Sequence, residues 1–141
     1  MAEFVSTNQY LLVNSVDLSS VLLGTDMAEV IESQDITAMG ASARIALPGL
    51  IGHSFRAEFN QNYAASGAGS VDATISALVS GRTTFAVAWR PVNTTIATTN
   101  PEYQFSAFVS SYTRASGRVG EAAKASVEFT FTTALTRDVT P

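Results

Sequence analysis

Four stretches of this chain alternate apolar and polar residues with a period of two, and that pattern constrains the fold more than any other feature of the sequence. Phe55, Ala57 and Phe59 alternate with Arg56, Glu58 and Asn60. Phe85, Val87 and Trp89 alternate with Thr84, Ala86, Ala88 and Arg90. Tyr103, Phe105, Ala107 and Val109 alternate with Gln104, Ser106, Phe108 and Ser110. Ala125, Val127, Phe129 and Phe131 alternate with Ser126, Glu128, Thr130 and Thr132. Successive side chains of a strand point to opposite faces, so each run presents one apolar face to a core. Weaker strands are expected over 9–14, 16–18 and 27–36.

One segment departs from this period. In residues 71–79, Val71, Ile75, Leu78 and Val79 fall at helical spacing. Ser70 stands where a helix cap belongs, Asp72 suits the first turn, and Gly81 follows at the expected stop. The pattern predicts a short amphipathic helix whose stripe covers a sheet. Strands, one helix and strands again, without βαβ alternation, predict a mainly β, antiparallel sandwich or open barrel of two packed sheets with one flanking helix. The 141 residues are expected to form one domain, 1–141, large enough to bury a core without staples. A flexible entry to the helix is expected over 64–70, and a Thr- and Asn-rich surface loop over 91–101.

Residues 35–52 read as a long loop, beyond the usual length. They are nevertheless rich in large apolar side chains: Ile36, Met39, Ile45, Leu47, Leu50 and Ile51. A disordered loop is poor in such residues, so this one must cover a surface, either its own sheet or a neighbouring subunit. Gly40, Gly49 and Gly52 allow it to rearrange, and Pro48 fixes a corner. Arg44, among small residues, is expected to meet a carboxylate of the next subunit, Glu29 or Glu32. Composition points the same way. Charged residues make up 14% and hydrophobic ones 46%, against about 25% charged in ordinary soluble domains, which suits a surface partly hidden in an assembly.

Little in the sequence could carry chemistry. Cysteine is absent, which removes disulfides and thiolate sites. His53 is the single histidine, expected at a strand start without a partner, and Ser54 beside it lies in no nucleophile elbow. Glu29, Glu32 and Asp35 are close in sequence, but on one strand Glu29 and Glu32 face opposite ways, against a shared cation site. The glycines of residues 65–70 lack the lysine of a phosphate loop. No catalytic, cofactor or metal residue is therefore expected. The eight basic residues are scattered and the net charge is −4, so nucleic acid is expected to be repelled rather than gripped. The chain shows no secretion signal at its start and no apolar run long enough to span a bilayer, so it is expected to be made in the cytoplasm, with no membrane partner.

Together these residues resemble a family. Asp35-Ile-Thr-Ala-Met-Gly-Ala-Ser-Ala-Arg44, Leu47-Pro-Gly-Leu50, Phe55-Arg-Ala-Glu-Phe59 and Val71-Asp-Ala-Thr-Ile75 occur in the order and spacing of the major tail tube proteins of siphophages. Val119-Gly-Glu-Ala before a strand, then Ala134-Leu-Thr-Arg137, resemble that family's C-terminal portion, and the resemblance covers most of residues 10–137. Met39 stands where an aromatic is commoner in the family. The resemblance implies a structural virion protein whose hexameric rings stack into a tube. Strands of six subunits would close an inner β-barrel through which phage DNA is ejected, and the long loop would reach to neighbouring subunits or rings. It implies tape measure, tail terminator and tail-tip proteins as further partners, DNA passing without specific binding, and assembly in the host bacterial cytoplasm into the phage tail. Ile36, Met39, Arg44, Ile45, Leu47 and Leu50 are then the expected inter-subunit residues, and Glu29, Glu32, Glu58 and Glu128 the candidates for lumen or interface charges. A tail terminator, a capsid decoration protein or a β-sandwich binding module are the alternatives.

Overall fold

The computed structural model describes residues 7–141. Eight strands form one antiparallel sheet: β1 (Tyr10–Val13), β2 (Val16–Asp17), β3 (Leu22–Asp35), β4 (Ala46–Asn60), β5 (Phe85–Arg90), β6 (Glu102–Ser116), β7 (Lys124–Phe131) and β8 (Thr136–Asp138). The helix α1 (Val71–Gly81) lies between β4 and β5, and a short 3-10 turn, Ser19–Val21, precedes β3. The strand order is β2-β1-β5-β6-β7-β4-β3, with β8 also pairing β6.

This sheet cannot be flat. β1 and β3 are five strands apart in the order, about 24 Å at the usual spacing. Yet Thr25 Oγ1 on β3 donates a 2.8 Å hydrogen bond to Gln9 Oε1 at the start of β1, and Trp89 Nε1 on β5 donates to the same oxygen at 3.2 Å. The sheet therefore curls until its two ends meet, and the expected sandwich or open barrel is realised as one folded-over sheet. Inside lie the apolar faces that the alternation predicted: Leu11, Val13, Phe55, Phe59, Phe85, Val87, Phe105, Val127 and Phe129 are all buried. Phe55 contacts both Phe105 and Phe129 at ring separations of 5.5 Å, tying three strands together.

The helix closes the core, with Val71, Ile75 and Leu78 buried, as its spacing predicted. Its ends differ from the expectation. The Ser70 hydroxyl does not cap the helix; it donates back to the Gly67 carbonyl at 2.6 Å. Gly81 is the last helical residue, and Arg82 takes the left-handed conformation at φ 51°. Asp72 fastens the helix to β6, accepting from the Tyr112 hydroxyl at 3.0 Å and lying 3.4 Å from Arg114. Burial raises the Tyr112 phenol above its ordinary pKa, and the Asp72 carboxylate beside it adds to the shift. The hairpin β1–β2 turns through Asn14 and Ser15, both at positive φ, as a two-residue loop of matching twist requires.

The 91–101 loop is more ordered than a surface loop need be. Asn100, 6% exposed, accepts from the Val92 N–H at 3.1 Å and donates to the carbonyls of Val92, Thr94 and Thr95. At its base Arg90 Nε lies 2.8 Å from Glu102, and the guanidinium sits 3.9 Å over the Tyr10 ring.

Candidate assembly surface

The largest correction concerns residues 35–52. They are not a loop folded over the molecule. β3 runs on to Asp35 and β4 begins at Ala46, so the segment is the outer part of a long β-hairpin with its tip between the two strands. β7 pairs β4 only over Ser54–Asn60. Beyond that point β3 and β4 have only each other, and the two-stranded arm projects by about 20 Å, counting seven residues of β3 from Glu29. Gly52, paired with Val30, and Pro48, paired with Ser33, are strand residues rather than a hinge and a corner. Proline is tolerated there because β4 has no partner on its other side. The register slips between Ile31 and Ser33, a bulge that brings Gly49 against Glu32; a Cβ on Gly49 would meet the Glu32 carbonyl at 3.2 Å.

The tip is held by its own hydrogen bonds. The Thr37 N–H donates to Asp35 at 2.9 Å, the Ile45 N–H to Thr37 Oγ1 at 2.8 Å, and the Ile36 N–H to the Ile45 carbonyl at 2.9 Å. Gly40, at φ +88°, makes the turn. The hydrogen bonds from Thr37 hold the Asp35 carboxyl below its ordinary range. The contribution of Asp35 to the tip is therefore full at neutral pH and is lost as pH falls through that lowered value. Arg44 lies 3.5 Å from Asp35 of its own chain, with both side chains largely exposed, rather than against Glu29 or Glu32.

Every one of the expected contact residues is uncovered. Met39 is 103% exposed and Leu50 78%, while Ile36, Ile45 and Leu47 are about half exposed. The arm adds Val30, Ile31 and Ile51, so eight of the twelve exposed large hydrophobics among the described residues lie on it. Val30 pairs with Gly52, and Ile31 with Ile51, on opposite faces of the ribbon. The signal for these three was present in the sequence as the adjacent apolar pairs Val30-Ile31 and Leu50-Ile51, which no one-sided strand needs.

The expected charges divide between the two faces. Glu58 and Glu128 lie on the face of β4 and β7 away from the core, while Glu29 stands opposite His53 on the core-side face of the arm. Glu32 lies at the bulge. The outer face also carries Asp26, missed in the sequence. Asp26, Arg56 and Glu128 form one cross-strand row, with Arg56 3.7 Å from Glu58. His53 is not at a strand start or without a partner. It lies within β4, its ring stacked on Phe131 at 5.1 Å, and Phe131 stacks on Phe105 at 4.0 Å.

Besides the outer half of β4 and the short strands β2 and β8, two long strand edges are open among the described residues. β3 ends the sheet order, so one edge of all its 14 residues is unpaired. β6 pairs β5 only over Tyr103–Ala107, so its edge on that side is free from Phe108 to Ser116. No group of three or more histidine, cysteine or acidic side chains able to hold a metal occurs among the described residues.

No family model and no curated protein matches the sequence. Solved structures do match the fold. A chain from the virion of a native gene transfer agent particle superimposes with a TM-score of 0.75 at 12% identity, over 96% of this chain and 98% of its own length. The structure of the SPP1 tail tube gives 0.76 at 11% identity, over 98% and 80%. A chain from the tail of an empty gene transfer agent particle, refined helically with C6 symmetry, gives 0.65 at 14% identity, over 82% and 81%. With its curled antiparallel sheet and single flanking helix, the chain has the phage tail-tube fold.

Proposed function

We propose that this protein is the major tube subunit of a phage-type tail, a structural virion protein whose rings stack into the conduit for DNA. The observation that carries the reading is the pair of open edges on a tail-tube fold. β6, β7, β4 and β3 alternate in direction, so β3 of one copy laid beside the free half of β6 of the next continues the antiparallel pattern. That contact is head-to-tail, the kind that closes into a ring. It also removes the unpaired edges that otherwise invite aggregation. Six copies, the symmetry of the gene transfer agent tail, supply six times four strands. At a spacing of ~4.8 Å and a tilt of ~40° such a barrel is roughly 50 Å across. Its inner wall is then the face bearing Asp26, Glu58 and Glu128 against Arg56 and Lys124, among serines and threonines. A wall of that balance does not hold phosphate.

In this role the chain is not an enzyme. Its partners are its own copies and the tape measure, terminator and tip proteins of the tail, and it is built into the virion from the host cytoplasm. Electron microscopy of the purified protein at high concentration, with and without a seed of assembled material, tests the reading. Rings or stacked tubes are expected. Monodisperse monomer under both conditions would defeat it.

A further inference from the structure

The geometry points to a receiving site for the arm: the groove on the outer face of β5 and β6 of the adjacent copy, floored by Ala86, Ala88 and Ser106. This inference rests on the ring proposed above and names the surface that the arm occupies in it. The argument is one of lengths. β3 has 14 residues, but the free edge of β6 has room for only the nine from Phe108 to Ser116, because β5 occupies the edge at Tyr103–Ala107. The two strands run antiparallel, so when Leu22 starts near Ser116 of the next copy, the last five residues of β3 arrive where β5 begins. These are Ile31–Asp35, and with them comes the apolar part of β4.

The arm must then leave the plane of the sheet. On one side Phe85, Phe105 and Ala107 close the core. The other side is open. There Ala86 pairs with Ser106 and Ala88 with Gln104, small or polar residues that leave a groove of about 470 Å³, walled by Leu12 and by the chain at Thr133–Thr136. Because the sheet curls toward its core at β5, this outer face turns sideways, toward the copy that supplies β3. A floor of alanine and serine has room for large side chains, and the arm brings Leu47 and Leu50, on its face opposite to Ile51, to it.

The chain has no cysteine, so two can be introduced cleanly. A chain carrying Leu47→Cys and Ala86→Cys, assembled and treated with a short bis-maleimide, is expected to give a ladder of covalent oligomers on a denaturing gel. A chain carrying Leu47→Cys and Thr98→Cys is expected to give none. Separately, Ala86→Trp fills the groove on an exposed position; it is expected to leave the melting temperature of the monomer unchanged and to reduce tube yield at least tenfold. Normal tubes from Ala86→Trp, or tubes of the first double variant without the ladder, would overturn the groove and leave the tube standing. Absence of tubes from the unaltered chain would instead overturn the tube itself.

Discussion

The body and the arm are built from the same two strands, and they obey different rules. In the inner half of β4, Phe55, Ala57 and Phe59 are buried while Arg56, Glu58 and Asn60 are exposed. In the outer half, Ala46-Leu-Pro-Gly-Leu-Ile-Gly52, the alternation stops and every residue is exposed. Alternation is what a strand shows when one face meets a core and the other meets water. A nearly continuous apolar run is what a strand shows when both faces are covered. The arm thus has the sequence of a strand buried on both sides, although its own subunit covers neither. An isolated two-stranded hairpin is marginal in water, and a large apolar side chain contributes about 1.5–3 kcal/mol when fully buried. In the proposed ring another copy supplies what the arm lacks in its own chain.

Three variants test how separate the two regions are. Ile75→Ala, at a fully buried position under the sheet, should destabilise the body by about 2–5 kcal/mol. Thermal unfolding measures this, and hydrogen exchange at Glu29–Asp35 shows whether the arm follows. If arm protection falls together with body stability, the two form one cooperative unit and the contrast is lost. Asn100→Ala should cost about 1–3 kcal/mol, because the Val92 amide and the carbonyls of Val92, Thr94 and Thr95 lose a buried partner at once. A smaller loss in denaturant titration would mean that the 91–101 loop holds itself. The combined Leu47→Ser and Leu50→Ser change should move monomer stability by less than about 0.5 kcal/mol, as for exposed sites generally, and yet abolish polymer in sedimentation. Intact assembly would leave the strand edges as the sufficient contact.

The body was legible in the sequence because its elements each have one wet face. All four alternating runs became strands, and the stripe Val71, Ile75 and Leu78 became the buried face of the helix. The β3 side of the arm lay within the strand expected over 27–36, but its β4 side was misread as a loop because Pro48, Gly49 and Gly52 are turn formers, and nothing local says that an unpartnered edge and a bulge will accept them inside a strand. The apolar character of the segment was legible all the same, since large apolar side chains outside the alternating runs are visible in any conformation, and Ile36, Met39, Ile45, Leu47 and Leu50 are all exposed. Asp26 and the stacking of His53 on Phe131 were hidden because each depends on register across strands. The Ser70 cap failed because a glycine carbonyl was nearer than the helix amides. The role of Asn100 could not be read, since its partners lie within a loop whose path the sequence does not state.

The strand order also sets a sequence of events during synthesis. Apart from its short hairpin with β2, β1 finds its partner in β5, so Tyr10 waits for Arg90 to be made. The ladder of β3 and β4 is complete once Asn60 has emerged, well before the core that will carry it. Local pairings of this kind form faster than distant ones. The most apolar exposed ribbon of the molecule is thus the first long ladder to take shape on a growing chain. Chains growing side by side on one messenger would display these ribbons to each other before any body exists, so the feature proposed to join finished copies is also an early hazard that the newborn chain presents.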